Sequence, residues 1–74
     1  MNNHIRVREG EDYFYNYIDI TTLESKNFFP LRVLRGKTTK AFFIEIRGRK
    51  IRFTKQELVE TLEIIEEFIK RWEK

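Results

Sequence analysis

Hydrophobic and polar residues alternate along the first two thirds of this chain, and after Phe53 they repeat at helical spacing. His4–Arg8 set Ile5 and Val7 on one side and Arg6 and Arg8 on the other, which predicts a short half-buried strand. Residues 9–12 read as a polar turn containing Gly10. Tyr13–Leu23 is a long run of β-formers. One parity holds Phe14, Asn16, Ile18, Ile20 and Thr22; the other holds Tyr13, Tyr15, Tyr17, Asp19 and Thr21. The isoleucine parity is assigned to the core. A connection over residues 24–29 follows, and its register is not fixed by the pattern. Pro30 suits a strand start or an edge. Pro30–Arg35 predicts a third strand with Leu31 and Val33 inward and Arg32 and Leu34 outward. Residues 36–39 form a turn. Lys40–Arg47 predicts a fourth strand, with Phe42, Ile44 and Ile46 inward and Phe43, Glu45 and Arg47 outward.

A two-residue loop at Gly48-Arg49 fits a type II′ hairpin. It would pair Arg47 with Lys50, Ile46 with Ile51, Glu45 with Arg52 and Ile44 with Phe53. Thr54 and Glu57 then have the spacing of a capping box, and Phe53 and Leu58 that of a hydrophobic staple. The helix is expected from about Lys55 to Glu73. Leu58, Leu62, Ile65, Ile69 and Trp72 line one stripe, with Phe68 inside it and Val59 and Ile64 on its shoulders. At about 100° per residue the apolar arc spans roughly 220°, where covering one sheet needs little more than 100°. The surplus predicts a partner's helix and hence a homodimer, with Val59, Leu62, Ile64, Phe68 and Trp72 at the interface. The expected fold is α+β: one domain, a twisted antiparallel sheet of four or five strands, and one C-terminal helix packed on one face.

Charge sharpens this picture. The net charge is only +3, yet residues 26–55 hold ten Lys/Arg against the single acid Glu45, while both flanking segments are net acidic. A basic sheet carrying aromatics on its open face suits a nucleic-acid binder. The outward parity gathers Tyr13, Tyr15, Tyr17, Phe43, Arg32, Arg47, Lys50 and Arg52, with Lys37 and Lys40 in a nearby turn. Phe43 is expected beside Arg32 across the third and fourth strands. Aromatic faces stack bases of single strands while cations follow the phosphates. The tyrosine row also suits plain packing, either on neighbouring side chains or on a dimer mate. The exposed side of the helix is acidic, which disfavours insertion into a duplex groove.

Other classes have little support. There is no cysteine and only one histidine, so no disulfide, metal site or cofactor is expected. No nucleophile has a positioned base, and Glu60, Glu63 and Glu67 look like a solvated helix face, so neither an enzyme nor a small-molecule substrate is expected. No run of about 18 apolar residues and no signal-peptide pattern appears, which predicts a soluble, cytoplasmic protein without membrane contact.

Residues 51–62, Ile-Arg-Phe-Thr-Lys-Gln-Glu-Leu-Val-Glu-Thr-Leu, resemble the strand-to-helix junction of the PC4 family of transcriptional coactivators. The plan of a small basic sheet followed by one helix is similar too, and looser likeness extends to archaeal single-strand binders of the ThermoDBP type. The long second strand, the tyrosine row and the Pro30 connection depart from the PC4 pattern. The resemblance implies a dimer formed through the helix, Leu58 to Trp72, and single-stranded DNA on a basic β-surface. The expected function is single-stranded nucleic-acid binding of low sequence specificity, DNA ahead of RNA. The alternative is a small protein-interaction module whose basic sheet docks an acidic partner.

Overall fold

A computed structural model describes residues 4–22 and 30–73. Five strands, β1 (Ile5–Glu11), β2 (Tyr15–Thr22), β3 (Leu31–Gly36), β4 (Phe42–Ile46) and β5 (Arg49–Phe53), precede one helix, α1 (Lys55–Trp72). The strands form one antiparallel sheet in chain order, an open meander with β1 and β5 at its edges. The α+β class and the C-terminal helix agree with the sequence pattern. The connection over 24–29 lies outside the described residues.

Turn chemistry sets the registers. Between β1 and β2 the Asp12 carboxylate Oδ1 accepts the amides of Phe14 and Tyr15, both at 2.8 Å, and the Asp12 amide donates to the Tyr15 carbonyl at 2.9 Å. This Asx-type closure holds the turn at residues 12–14. It corrects the expected turn at 9–12: β1 runs on to Glu11 and pairs there with Asn16. Tyr13 and Phe14 therefore leave the strand. Phe14, expected in the core, is an exposed loop residue, as is Tyr13 at 85% exposure. Between β3 and β4 the Gly36 amide donates to the Ala41 carbonyl, and Lys40 takes the left-handed conformation with φ 59°. Lys40 thus belongs to the turn, and β4 starts two residues later than the alternation suggests.

The β4–β5 hairpin corrects the expected loop. Its central residues are Arg47 and Gly48, with φ 52° and 80°, the two positive angles of a type I′ turn. Ile46 pairs with Arg49, Glu45 with Lys50, Ile44 with Ile51 and Phe42 with Phe53. Moving a two-residue loop by one position changes each partner by two. Because side chains repeat every second residue, all of them keep their faces. Periodicity alone cannot tell the two registers apart. The expected pair of like charges, Arg47 with Lys50, does not form.

The two faces of the sheet differ in chemistry. One carries Ile5, Val7, Ile18, Ile20, Leu31, Val33, Phe42, Ile44, Ile46, Ile51 and Phe53, interspersed with Glu9, Glu11, Asn16, Thr22, Arg35 and Arg49. The other carries Arg6, Arg8, Tyr15, Tyr17, Asp19, Arg32, Leu34, Phe43, Glu45, Lys50 and Arg52. The inward and outward parities follow the sequence reading, but the burial does not. Among the described residues the buried apolar ones are Leu34 and Ala41, at 2% and 7% exposure, and Leu34 belongs to the polar-aromatic face that was expected to be open.

The helix explains the inversion. Thr54 Oγ1 accepts the Glu57 amide at 3.1 Å and Glu57 Oε1 accepts the Thr54 amide at 2.9 Å, completing the expected capping box. Only Thr54 separates β5 from α1, so this tight junction also sets the helix direction. The main contact of α1 with the sheet is to β5, and no α1 residue is buried. The expected C-terminal helix is present, and within one chain it extends from the β5 edge with its apolar stripe exposed. The radius of gyration, 13.7 Å, exceeds the roughly 11 Å of a compact chain of this length.

A non-glycine residue in the left-handed region costs about 1–2 kcal/mol, and asparagine tolerates it best. Replacing Arg47 with Asn is expected to stabilise the hairpin by about 1 kcal/mol and raise the midpoint of thermal unfolding by roughly 4–8 °C. Gly48→Ala should lower it. A circular-dichroism melt checks both.

Candidate nucleic-acid interface

The polar-aromatic face is built around β3. Tyr15 on β2 lies opposite Gly36, and Phe43 on β4 lies opposite Leu34. Their strands are two places apart, yet their rings meet edge to face with centroids 5.6 Å apart. They close over β3, where Gly36 leaves room, and this roof buries Leu34. The expected neighbour of Phe43 was Arg32. Instead Arg32 lies opposite Glu45 and turns toward β2.

Arg32 forms a two-pronged ion pair with Asp19, Nε to Oδ1 at 2.6 Å and Nη2 to Oδ2 at 3.0 Å. Its guanidinium carbon lies 4.0 Å from the centre of the Tyr17 ring. The Tyr17 ring occupies the space that a Cβ on Gly10, its direct partner on β1, would need. Gly10 is thus required by a close approach. The hydrogen bond that Arg32 donates to Asp19 raises the Arg32 pKa above its ordinary value, burial opposes this, and the Asp19 charge adds to the rise. The planar fork of arginine suits both the carboxylate and the ring.

Lys50 completes the second cation–aromatic pair, with Nζ 4.8 Å from the Tyr15 ring centre. Lys37 Nζ meets Glu11 Oε2 at 2.8 Å, and the Lys37 amide donates to the Phe14 carbonyl at 2.9 Å, so the β3–β4 loop is tied to the β1–β2 loop. Tyr13 packs edge-on against Phe14 at 4.9 Å, and the two rings stand outside the sheet at the same end as Tyr15 and Phe43.

Of the ten residues singled out from the sequence, Tyr15, Tyr17, Arg32, Phe43, Lys50 and Arg52 share the sheet face. Tyr13, Lys37 and Lys40 stand in the loops at its aromatic end. Arg47 stands in the turn at the other end, lining a shallow hollow with Pro30, Arg32, Glu45 and Gly48. A second hollow beside it is lined by Arg6, Arg8, Asp19, Thr21 and Pro30. Sequence reasoning missed Arg6 and Arg8 because the N-terminal third is net acidic. Their parity opposite Ile5 and Val7 was the signal that could have recruited them. Phe14 was missed because it shares the isoleucine parity. Asp19, the residue that aims Arg32, was missed as well.

The face therefore has two ends. One offers the exposed rings of Tyr13 and Phe14 beside Lys37, Lys50 and Arg52. The other offers arginines around Pro30. The rings of Tyr15 and Tyr17 between them are engaged by cations. No known protein family, curated protein or solved structure matches the chain at a significant level. Among the described residues no helix is long and apolar enough to cross a membrane.

Removing the Asp19 carboxylate leaves a half-buried guanidinium without its charged acceptor. Asp19→Ala should cost about 2 kcal/mol, read as a lower midpoint in urea unfolding. The Asp12 carboxyl is held below its ordinary pKa by the Tyr15 and Phe14 amides, and the Glu11 carboxyl by its hydrogen bond to Lys37. Groups depressed on folding contribute stability that is complete above the unfolded values, about 4 for Asp and Glu, and is lost as pH falls through the lower folded values. Stability should therefore fall on acidification below about pH 4. Asp12→Asn retains the Oδ1 acceptor without the ionisation and should flatten that acid limb in thermal melts taken from pH 2 to pH 7.

Proposed function

We propose that this protein binds single-stranded nucleic acid with little sequence preference, using the polar-aromatic face of its sheet. The observation that carries the reading is the sorting of the sheet. Its exposed large aliphatics lie on one face, while Arg6, Arg8, Arg32, Lys50 and Arg52 lie on the other together with Tyr15, Tyr17 and Phe43. Phosphates would meet Arg6, Arg8 and Arg47 at one end and Lys37, Lys40, Lys50 and Arg52 at the other. Bases would stack first on the open rings of Tyr13 and Phe14. Stacking on Tyr15 or Tyr17 requires Lys50 or Arg32 to swing onto a phosphate, an exchange of one charge-assisted contact for another. The likeness of residues 51–62 to a PC4-type junction is in keeping with this reading, as is the acidic helix, which suits an open strand better than a duplex groove.

One observation favours a second reading. Because Arg32 and Lys50 already cover Tyr17 and Tyr15, the face offers charge more readily than stacking, which also suits an acidic protein partner.

Fluorescence anisotropy with a short labelled oligothymidylate tests the first reading. Micromolar or tighter affinity at low salt is expected, with a log–log salt slope of about −5 for seven phosphate contacts. Arg6→Ala with Arg8→Ala should flatten the slope by about 1.4. Tyr13→Ala with Phe14→Ala should weaken binding by about 1–3 kcal/mol for each stacked base. Absence of binding at 50 mM salt would sink the nucleic-acid reading. Equal competition by polyglutamate, with no effect of the ring substitutions, would move the assignment to the acidic partner.

A further inference from the structure

The face opposite the candidate site is left uncovered. Ile5, Val7, Leu31, Ile46 and Ile51 are each more than a third exposed, and all five lie on that aliphatic face. A second bare surface runs along α1, where seven large apolar side chains from Val59 to Trp72 are exposed, Trp72 by 76%. Isolated soluble chains rarely show a contiguous apolar patch above about 300–600 Å². Here the exposed portions sum to on the order of 1,000 Å² per chain, or about 2,000 Å² for a symmetric pair, the area of a permanent homodimer interface.

We propose that a second copy of this chain covers both surfaces by exchange: α1 of each copy lies across the aliphatic sheet face of the other. The inference stands on the two bare surfaces and is independent of what the opposite face binds. Three observations favour this arrangement over the helix-to-helix pairing expected from the apolar arc. With Thr54 as its only link, α1 points past the edge of its own sheet, so its stripe is presented outward. Its 18 residues give about 27 Å of length, enough to cross five strands spaced about 4.8 Å apart. Residues 56–74 hold six acids against three bases, whereas the charged residues on the aliphatic sheet face balance, Arg35 and Arg49 against Glu9 and Glu11. Laying helix on that sheet face meets no net like charge, while pairing two helices opposes like charges. The exchange is two-fold and closed, so each sheet face is covered once and is not left free for a third copy.

The test uses the full chain. Light scattering at about 50 µM should give twice the chain mass, and the unfolding midpoint should rise with protein concentration. In a sample mixing isotope-labelled and unlabelled chains, filtered NOE spectra should connect the methyls of Leu62, Ile65 and Ile69 to those of Val7, Ile46 and Ile51 across the interface. Ile65→Glu on the helix and Ile51→Glu on the sheet should each abolish the dimer mass. If either variant unfolds, the concentration dependence of the wild-type midpoint still decides the stoichiometry. A folded monomer at that concentration, or a dimer with only helix-to-helix contacts in the filtered spectrum, overturns the proposal. Oligonucleotide titration of the same samples is read separately, so the loss of one proposal leaves the other standing.

Discussion

The structure rests on the two-residue repeat of its strands. Most aliphatic positions of the strands share one parity and most basic or tyrosine positions the other, with Leu34, Arg35 and Arg49 as exceptions, and every register brings like parity beside like. That arrangement gives a sheet with one oily side and one side of cations and rings. A sheet of this kind must cover its oily side with a second layer. The chain contains a helix with an apolar stripe that could supply such a layer, but the junction at Thr54 points it elsewhere.

The same repeat explains which expectations held. The side assignments of Ile18, Val33, Ile44 and Ile51 on one face, and of Tyr15, Tyr17, Arg32 and Phe43 on the other, were legible because alternation survives an error in a turn. The capping box was legible because Thr54 and Glu57 need only local spacing. Turn positions were not legible. The Asp12 carboxylate moves the first turn by capturing two amides, and Arg47 accepts a left-handed backbone that its side chain does not favour. Nor was the depth of burial. Leu34 becomes the most buried residue because Tyr15 and Phe43 meet above β3, which depends on Gly36 opposite Tyr15 and on a reach of two strands. Sequence alternation carries no information about how far a ring leans.

The candidate site was legible as a collection of residues but not as an arrangement. Lys37 looked like a free phosphate contact and is tied to Glu11. Arg32 looked like an open cation and is aimed by Asp19 along the Tyr17 ring. These pairs pre-organise the face at the cost of engaging part of it. A ligand that competes for Arg32 must offer an anion at least as well placed as the Asp19 carboxylate. Phosphate oxygens accept the same planar fork of donors.

The projection of the helix has an electrical consequence. In a single chain, a negatively charged rod at the rim of a positively charged plate separates charge along a molecule 43 Å long. A polyanion approaching a single chain would be turned before contact, away from the rod and toward the plate. The torque fades within about one Debye length, near 8 Å at physiological ionic strength. It therefore governs how often encounters begin in a productive orientation rather than how long they last.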